Sequence, residues 1–130
     1  MFYISDKEEI KLDELIKLLR QTYWASERQE EQVIKALENS IHFGAYDEEG
    51  HLIGFARVVT DFVTIYYLCD VIVDEKHRGS GIGKALIETI VNDERFAKVP
   101  ALLKTRDAHG LYSKYGFKDV DLHRVMYRAR

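Results

Sequence analysis

Three features of the chain predict a mixed α/β fold. The run from Ile65 to Val73 is almost unbroken in its apolar character, as a strand at the centre of a sheet would be. After a charged turn comes Arg78-Gly79-Ser80-Gly81-Ile82-Gly83-Lys84, and Ile82, Leu86, Ile87 and Ile90 then recur at helical spacing. Upstream and downstream, helix-period and strand-period segments interleave, so sheet and helices are expected to share one core.

Phe2 to Ile4 reads as a short first strand. Ser5 with Glu8 three residues on has the form of a capping box, opening a helix with Leu12, Leu15, Ile16 and Leu19 on one face. Ser26 and Gln29 repeat that start signal before a second helix, with Val33, Ile34 and Leu37 inward. The aromatic elbow Thr22-Tyr23-Trp24-Ala25 lies between them. Ile41 to Tyr46 and Leu52 to Thr60 flank the turn Asp47-Glu48-Glu49-Gly50 as a hairpin, and Asp61-Phe62 turns the chain into the central strand. Past the long helix, Ala101 to Thr105 predicts a strand and Asp107 to Tyr115 a short helix closed by Gly116. Phe117 to Val120 and Arg124 to Tyr127 predict a closing pair of strands. The expected order is β-α-α-β-β-β-α-β-α-β-β: a mixed, mostly antiparallel sheet with helices on both faces, in one domain over residues 1–130.

Composition narrows the function. Hydrophobic residues make up 46% of the 130 and charges of both signs are mixed, which argues against disorder. A net charge of −3 gives no electrostatic reason to expect nucleic acid as a partner. The lone Cys69 has no disulfide partner and no metal-site companions, which fits a reducing cytoplasm. Charged residues follow Met1-Phe2-Tyr3-Ile4 at once, unlike a secretory leader. No apolar run approaches the ~20 residues of a membrane span. A soluble, cytoplasmic, metal-free protein that binds no membrane is the expectation.

The glycine-rich turn is where chemistry is expected. Glycines at alternate positions clear Cβ atoms from the turn, so backbone N–H groups can crowd around a guest at a helix N-terminus, where an anion is favoured. The bland alternative is a turn that only starts a helix. A phosphate loop of the Gly-x4-Gly-Lys-Ser/Thr type is excluded, because Ala85 follows Lys84 and Arg78 stands where the first Gly belongs. The dinucleotide fingerprint fails as well, for want of its third Gly.

What does match is Val73-x4-Arg78-Gly79-x-Gly81-Ile82-Gly83, which resembles the pyrophosphate loop of the GCN5-related N-acetyltransferases (GNAT). Ala108-x-x-Leu111-Tyr112-x-x-x-Gly116-Phe117 resembles the second signature of the same family. The element order is that family's order too, so the resemblance covers essentially the whole chain and implies its acyl-CoA N-acyltransferase fold. It implies acetyl-CoA as co-substrate, with Val71, Ile72, Val73, Arg78, Gly79, Ser80, Gly81, Ile82, Gly83, Lys84 and Thr105 as its binding residues. The family often has Asn where Thr105 stands, and Lys84 can equally be a solvated charge. Tyr112 is implied as the general acid that protonates the departing thiolate, although an aromatic at helical spacing is ordinarily core.

The reaction is transfer of acetyl to a primary amine of a small molecule or a protein, by direct attack in a ternary complex. An amine of pKa near ~10.4 is mostly charged at cell pH and must lose a proton first. A carboxylate near the site can take it, and a backbone N–H from a bulged strand around Asp70 to Val73 can meet the oxyanion. Asp70, inside an apolar strand, is costly to bury unless used or paired, and burial would raise its pKa toward that of a base. It can equally cap a bulge or pair with Arg57. Trp24, Asp61 and His109 are the candidate acceptor contacts, each with a plain alternative: core, turn chemistry and solvent, respectively. Together with Arg57 and Asp70 they hint at a small cationic amine. A catalytically idle acyl-CoA-binding module is the alternative function, and family members often form homodimers.

Overall fold

The computed structural model describes residues 1–129. The chain runs through β1 (Phe2–Ser5), α1 (Leu12–Leu19), α2 (Glu30–Glu38), β2 (Ile41–Asp47), β3 (Leu52–Thr60), β4 (Tyr66–Val73), α3 (Ile82–Val91), β5 (Ala101–Leu103) and α4 (His109–Ser113). Short 3-10 turns stand at Glu75–His77, Glu94–Phe96 and Leu122–Arg124. The strands form one sheet in the order β1-β2-β3-β4-β5, antiparallel throughout except for the β4–β5 pair.

The two sheet faces bury different helices. Ile82, Leu86, Ile87 and Ile90 of α3 pack on Phe43, Ala45, Ala56, Val58, Tyr66 and Leu68. On the other face Leu15, Leu18 and Leu19 of α1 and Val33 of α2 cover Tyr46, Leu52, Phe55 and Ile72. Each helix thus presents one apolar stripe, as its spacing requires.

β4 changes faces part-way along. Its register with β3 pairs Arg57 with Cys69 and Phe55 with Ile72, so Asp70 and Val71 stand opposite Ala56 alone. That is a β-bulge, with Asp70 at φ +53° in the left-handed region that Asp tolerates better than most residues. Side chains alternate with a period of two, so an extra residue inverts the assignment beyond it. Before the bulge Tyr66 and Leu68 face α3; after it Ile72 joins the α1/α2 core while Val71 and Val73 turn toward α3. Asp70 is thereby carried to the α1/α2 side. The parallel ladder to β5 covers only Tyr66–Leu68, leaving the β4 edge beyond Leu68 without a strand partner.

Three expectations are corrected. Helix α1 begins at Leu12 with Lys11 as N-cap, not at a Ser5/Glu8 box. Ser5 ends β1 and its Oγ accepts from the Lys7 N–H at 3.1 Å, while the Tyr3 hydroxyl donates to Glu8 at 3.2 Å. The second box also lies further on, between Gln29 and Gln32. The closing strands are absent among the described residues: the sheet ends at β5, and Phe117 onward is extended chain around the turn at Leu122–Arg124. Asp121 accepts from the His123 N–H at 2.9 Å and bends the segment where a strand would need to run straight. Leu122, Met126 and Tyr127 lie in solvent. No helix among the described residues is long and apolar enough to cross a membrane.

Candidate active site

The glycine-rich turn links β4 to α3. Gly79 and Gly81 have φ of +84° and +86°, a conformation costly for any residue with a Cβ, and Gly81 is the N-cap of α3. Gly83 is different. A Cβ there would make only an ordinary 3.5 Å contact with Val73 Cγ2, so neither space nor backbone demands a glycine at this position. The first intrahelical bond across the turn runs from the Ala85 N–H to the Gly81 carbonyl at 3.0 Å, so the amides of Ile82, Gly83 and Lys84 have no acceptor within the helix. The first turn of α3 holds no acidic residue, and Arg78 and Lys84 are exposed beside it. Ser80 is fixed by a hydrogen bond from its Oγ to the His77 carbonyl.

The entrance to this loop is stapled from the turn just after α1. Gln21 donates from Nε2 to Asp74 Oδ1 at 3.1 Å and accepts at Oε1 from the Glu75 N–H at 3.1 Å. His77 Nδ1 lies 3.0 Å from Asp74 Oδ2. Burial pushes the Asp74 carboxyl up, but the hydrogen bonds from Gln21 and His77 outweigh it and hold the carboxyl below its ordinary value. None of these three residues was marked by the sequence, since each acts through a contact that only the fold creates.

At the bulge, Asp70 is 5% exposed and its carboxylate is held from three directions. Arg28 Nη1 donates to Oδ2 at 2.6 Å, Arg57 Nε to the same oxygen at 2.9 Å, and Trp24 Nε1 to Oδ1 at 3.0 Å. The expected rise in its pKa does not occur. Burial does push the carboxyl up, but the Arg28 hydrogen bond and the charges of Arg57 and Arg28 outweigh it, leaving it below its ordinary value. Trp24 stands edge-on to Tyr23 at 4.9 Å between ring centroids, and the Arg106 guanidinium lies 3.8 Å over the Tyr23 ring.

Tyr112, in α4, is 9% exposed and packs edge-on against Phe117 at 5.9 Å. Burial raises its phenol pKa and the neighbouring Tyr23 adds to that, so the hydroxyl holds its proton at neutral pH. Its hydroxyl makes no hydrogen bond among the described residues. Thr105 accepts from the Ala108 N–H at 3.0 Å, which shapes the approach to α4 and leaves its own O–H to donate elsewhere.

The structure therefore places Asp70 with Trp24, Arg28 and Arg57 on the α1/α2 face of β4, and Val71, Val73 and Tyr112 in the cluster on the α3 face, where β4 leads into the glycine turn. Asp61 and His109 are part of neither grouping. Asp61 is in the β3–β4 turn, accepting from the Val63 and Thr64 N–H groups at 2.9 and 2.8 Å and from Thr64 Oγ1 at 2.7 Å. Those bonds hold its carboxyl well below the usual range. His109 is exposed at the start of α4, with Nε2 3.9 Å from Asp119. Burial pushes the Cys69 thiol up to about 11, so it is inert at neutral pH.

A profile described as the acetyltransferase (GNAT) domain matches residues 38–119. The chain belongs to the GNAT family. A GNAT-family protein from Xanthomonas campestris pv. campestris superimposes with a TM-score of 0.90 at 33% identity, covering all of this chain and 94% of that one. The uncharacterized N-acetyltransferase ycf52 of Pyropia yezoensis is 31% identical over 92% of this chain and 72% of its own length. Serotonin N-acetyltransferase 2, chloroplastic, of Oryza sativa subsp. japonica is 36% identical over 79% of this chain, which spans 56% of that longer protein. GNAT membership supports N-acetyltransferase activity in general, and acetyl-CoA is the family's co-substrate. The free α3 amides, the absence of acid beside them and the unpartnered β4 edge fit a diphosphate followed by an amide-bearing arm.

Proposed function

We propose that this GNAT protein moves an acetyl group from acetyl-CoA to the primary amine of a small molecule, both substrates being bound at once. One observation supports this above the others. A positive-φ glycine turn at a helix N-terminus adjoins a strand edge with no partner among the described residues, and Tyr112, a protonated phenol with no hydrogen bond among them, shares a cluster with Val71 and Val73 of that strand.

Bound acetyl-CoA supplies an acetyl group activated as a thioester. Amides of Ile82, Gly83 and Lys84 bind the diphosphate, with Arg78 and Lys84 adding charge. The β4 edge beyond Leu68 and the Thr105 hydroxyl line the arm and orient it. The Asp70–Val71 bulge interrupts the regular register with β3, and a backbone N–H there meets the negative charge growing on the acetyl oxygen. As the amine nitrogen bonds to the acetyl carbon and gives up a proton to solvent water, the carbon–sulfur bond breaks and Tyr112 gives its proton to the sulfur. Asp70, ionised and held by two guanidiniums, is a weak base, and its best role is to fix Arg28, Arg57 and Trp24 in place.

Thiol release from acetyl-CoA across a panel of amines tests this. With an accepted amine, Tyr112→Phe is expected to lower kcat by about 10²-fold with the KM for acetyl-CoA nearly unchanged, as for loss of a general acid. Unaltered turnover would remove Tyr112 from that role. Tight CoA binding without thiol release for any amine would identify an acyl-CoA-binding module instead. A cytoplasmic location belongs to the same reading, with the lone Cys69 in support, although two relatives bear chloroplastic names.

A further inference from the structure

The charge balance around Asp70 is uneven. One carboxylate faces two guanidiniums, and no other acidic side chain lines the small, otherwise apolar cavity that Arg28, Arg57 and Asp70 share with Phe55 and the aliphatic side chains of α1 and α2 among the described residues. The site carries a net positive charge in a half-buried setting, where an unbalanced charge is expensive unless a ligand balances it. Neutralising Asp70 needs only one arginine.

The donors are also unevenly spent. Arg57 gives only its Nε to Asp70, and Arg28 only one Nη. Their other guanidinium N–H groups have no acceptor among the described residues. Both side chains keep an outlet to solvent, Arg57 at 15% and Arg28 at 30% exposure. Because Nε of Arg57 and the carboxylate fix its plane, the remaining edge is presented rather than mobile. A fixed guanidinium edge matches a carboxylate in a two-bond fork. Trp24, bonded to Asp70, and Tyr23 edge-on to it supply an aromatic corner next to it, and Arg106 lies over the Tyr23 ring.

We propose that the acceptor amine carries a carboxylate, as an α-amino acid does, and that Arg28 and Arg57 bind that carboxylate. This rests on the transferase reading above and revises the expectation of a simply cationic amine, which would be repelled here. Arg28 and Arg57 become specificity residues: they hold the acceptor by its acidic end so that its amine meets the acetyl carbon.

Matched amines that differ only in the carboxylate test the idea: phenylalanine against phenethylamine, tryptophan against tryptamine, ornithine against putrescine. In thiol-release assays at least one carboxylate-bearing member is expected to show a KM about tenfold or more below that of its partner. Arg28→Gln leaves Asp70 paired with Arg57 and Trp24, so the fold should persist, and it should shrink that preference to about twofold or less. A second readout does not need turnover: thermal shifts with N-acetylphenylalanine and N-acetylphenethylamine in the presence of CoA. Turnover without any carboxylate preference overturns the anion site and leaves the transferase standing. A carboxylate-dependent shift that Arg28→Gln abolishes, without turnover of any amine, supports the anion site and overturns the transferase. Neither turnover nor such a shift overturns both.

Discussion

Asp70 concentrates the residue-level physics of this protein. The buried carboxylate is the one negative partner of two guanidiniums, and Asp70→Asn would leave Arg28 and Arg57 facing each other across a neutral amide. The expected cost is about 3 kcal/mol in urea unfolding at pH 7, at the lower end for a broken buried pair because Arg28 keeps some solvent. The pH dependence has a definite sign. The folded pKa of Asp70 lies below its ordinary value of 3.8, so its contribution is complete above that value and is lost as pH falls through the lower folded one. The gap between wild type and Asp70→Asn should therefore be constant from neutral pH down to about 4 and close below it. A gap that widened on acidification would contradict this. Asp70, Trp24 and Arg57 could all be singled out in the sequence, but Arg28 could not. It arrives from the α1–α2 connection, 42 positions away, and nothing local marks an arginine for a distant carboxylate. Asp61 went the other way. Its acid was visible, and so was Thr64 three residues later, the spacing by which such an acid binds its own turn.

Two glycines show why elements sit where they do. At Gly81 an added Cβ would meet nothing within 4 Å, so the cost of Gly81→Ala is purely the left-handed backbone, about 1–2 kcal/mol. Gly81→Asn should recover part of that loss, because Asn tolerates this conformation. At Gly54 the backbone is ordinary, but a Cβ would lie 2.7 Å from Ile82 Cγ2 and 3.1 Å from the Ala45 Cβ. Gly54→Ala should cost a similar 1–3 kcal/mol by overpacking, with no rescue from Asn. It should also raise the KM for acetyl-CoA by moving the start of α3. Equal behaviour of the two glycines under Asn substitution would refute the distinction. The helices and the central strands were readable because their apolar periodicities are long. The bulge in β4 was expected around Asp70 to Val73 and lies at Asp70–Val71, though periodicity did not mark it. Tyr66 to Val73 is apolar on both faces, so its pattern does not register an inserted residue; only the charge at Asp70 hinted at one.

Across the whole molecule, the sheet, its face assignment and the glycine turn followed from local patterns that agreed with one another. The closing strands did not form because strand-like composition at Phe117–Val120 and Arg124–Tyr127 needs an edge to pair with, and the Asp121 turn bends the chain between them. Binding at the turn should register in global stability. CoA at about 100 times its Kd should add about 2.7 kcal/mol, raising Tm by on the order of 10 °C for a domain of this size. The gain should shrink with added salt, since the contacts are to exposed charges. A Tm indifferent to CoA would rule out the turn as its site.

With the substrates placed as proposed, the inverted stretch of β4 gives the nucleotide's arm and the amine a common partition only one chain thick. The backbone edge beyond Leu68 belongs to one guest, and the Asp70 side chain hanging from it belongs to the other. Seating either guest stiffens the same few peptide units, so the second arrives at a wall already set. The two substrates are thus thermodynamically linked through β4, and each should tighten the grip on the other by the same factor.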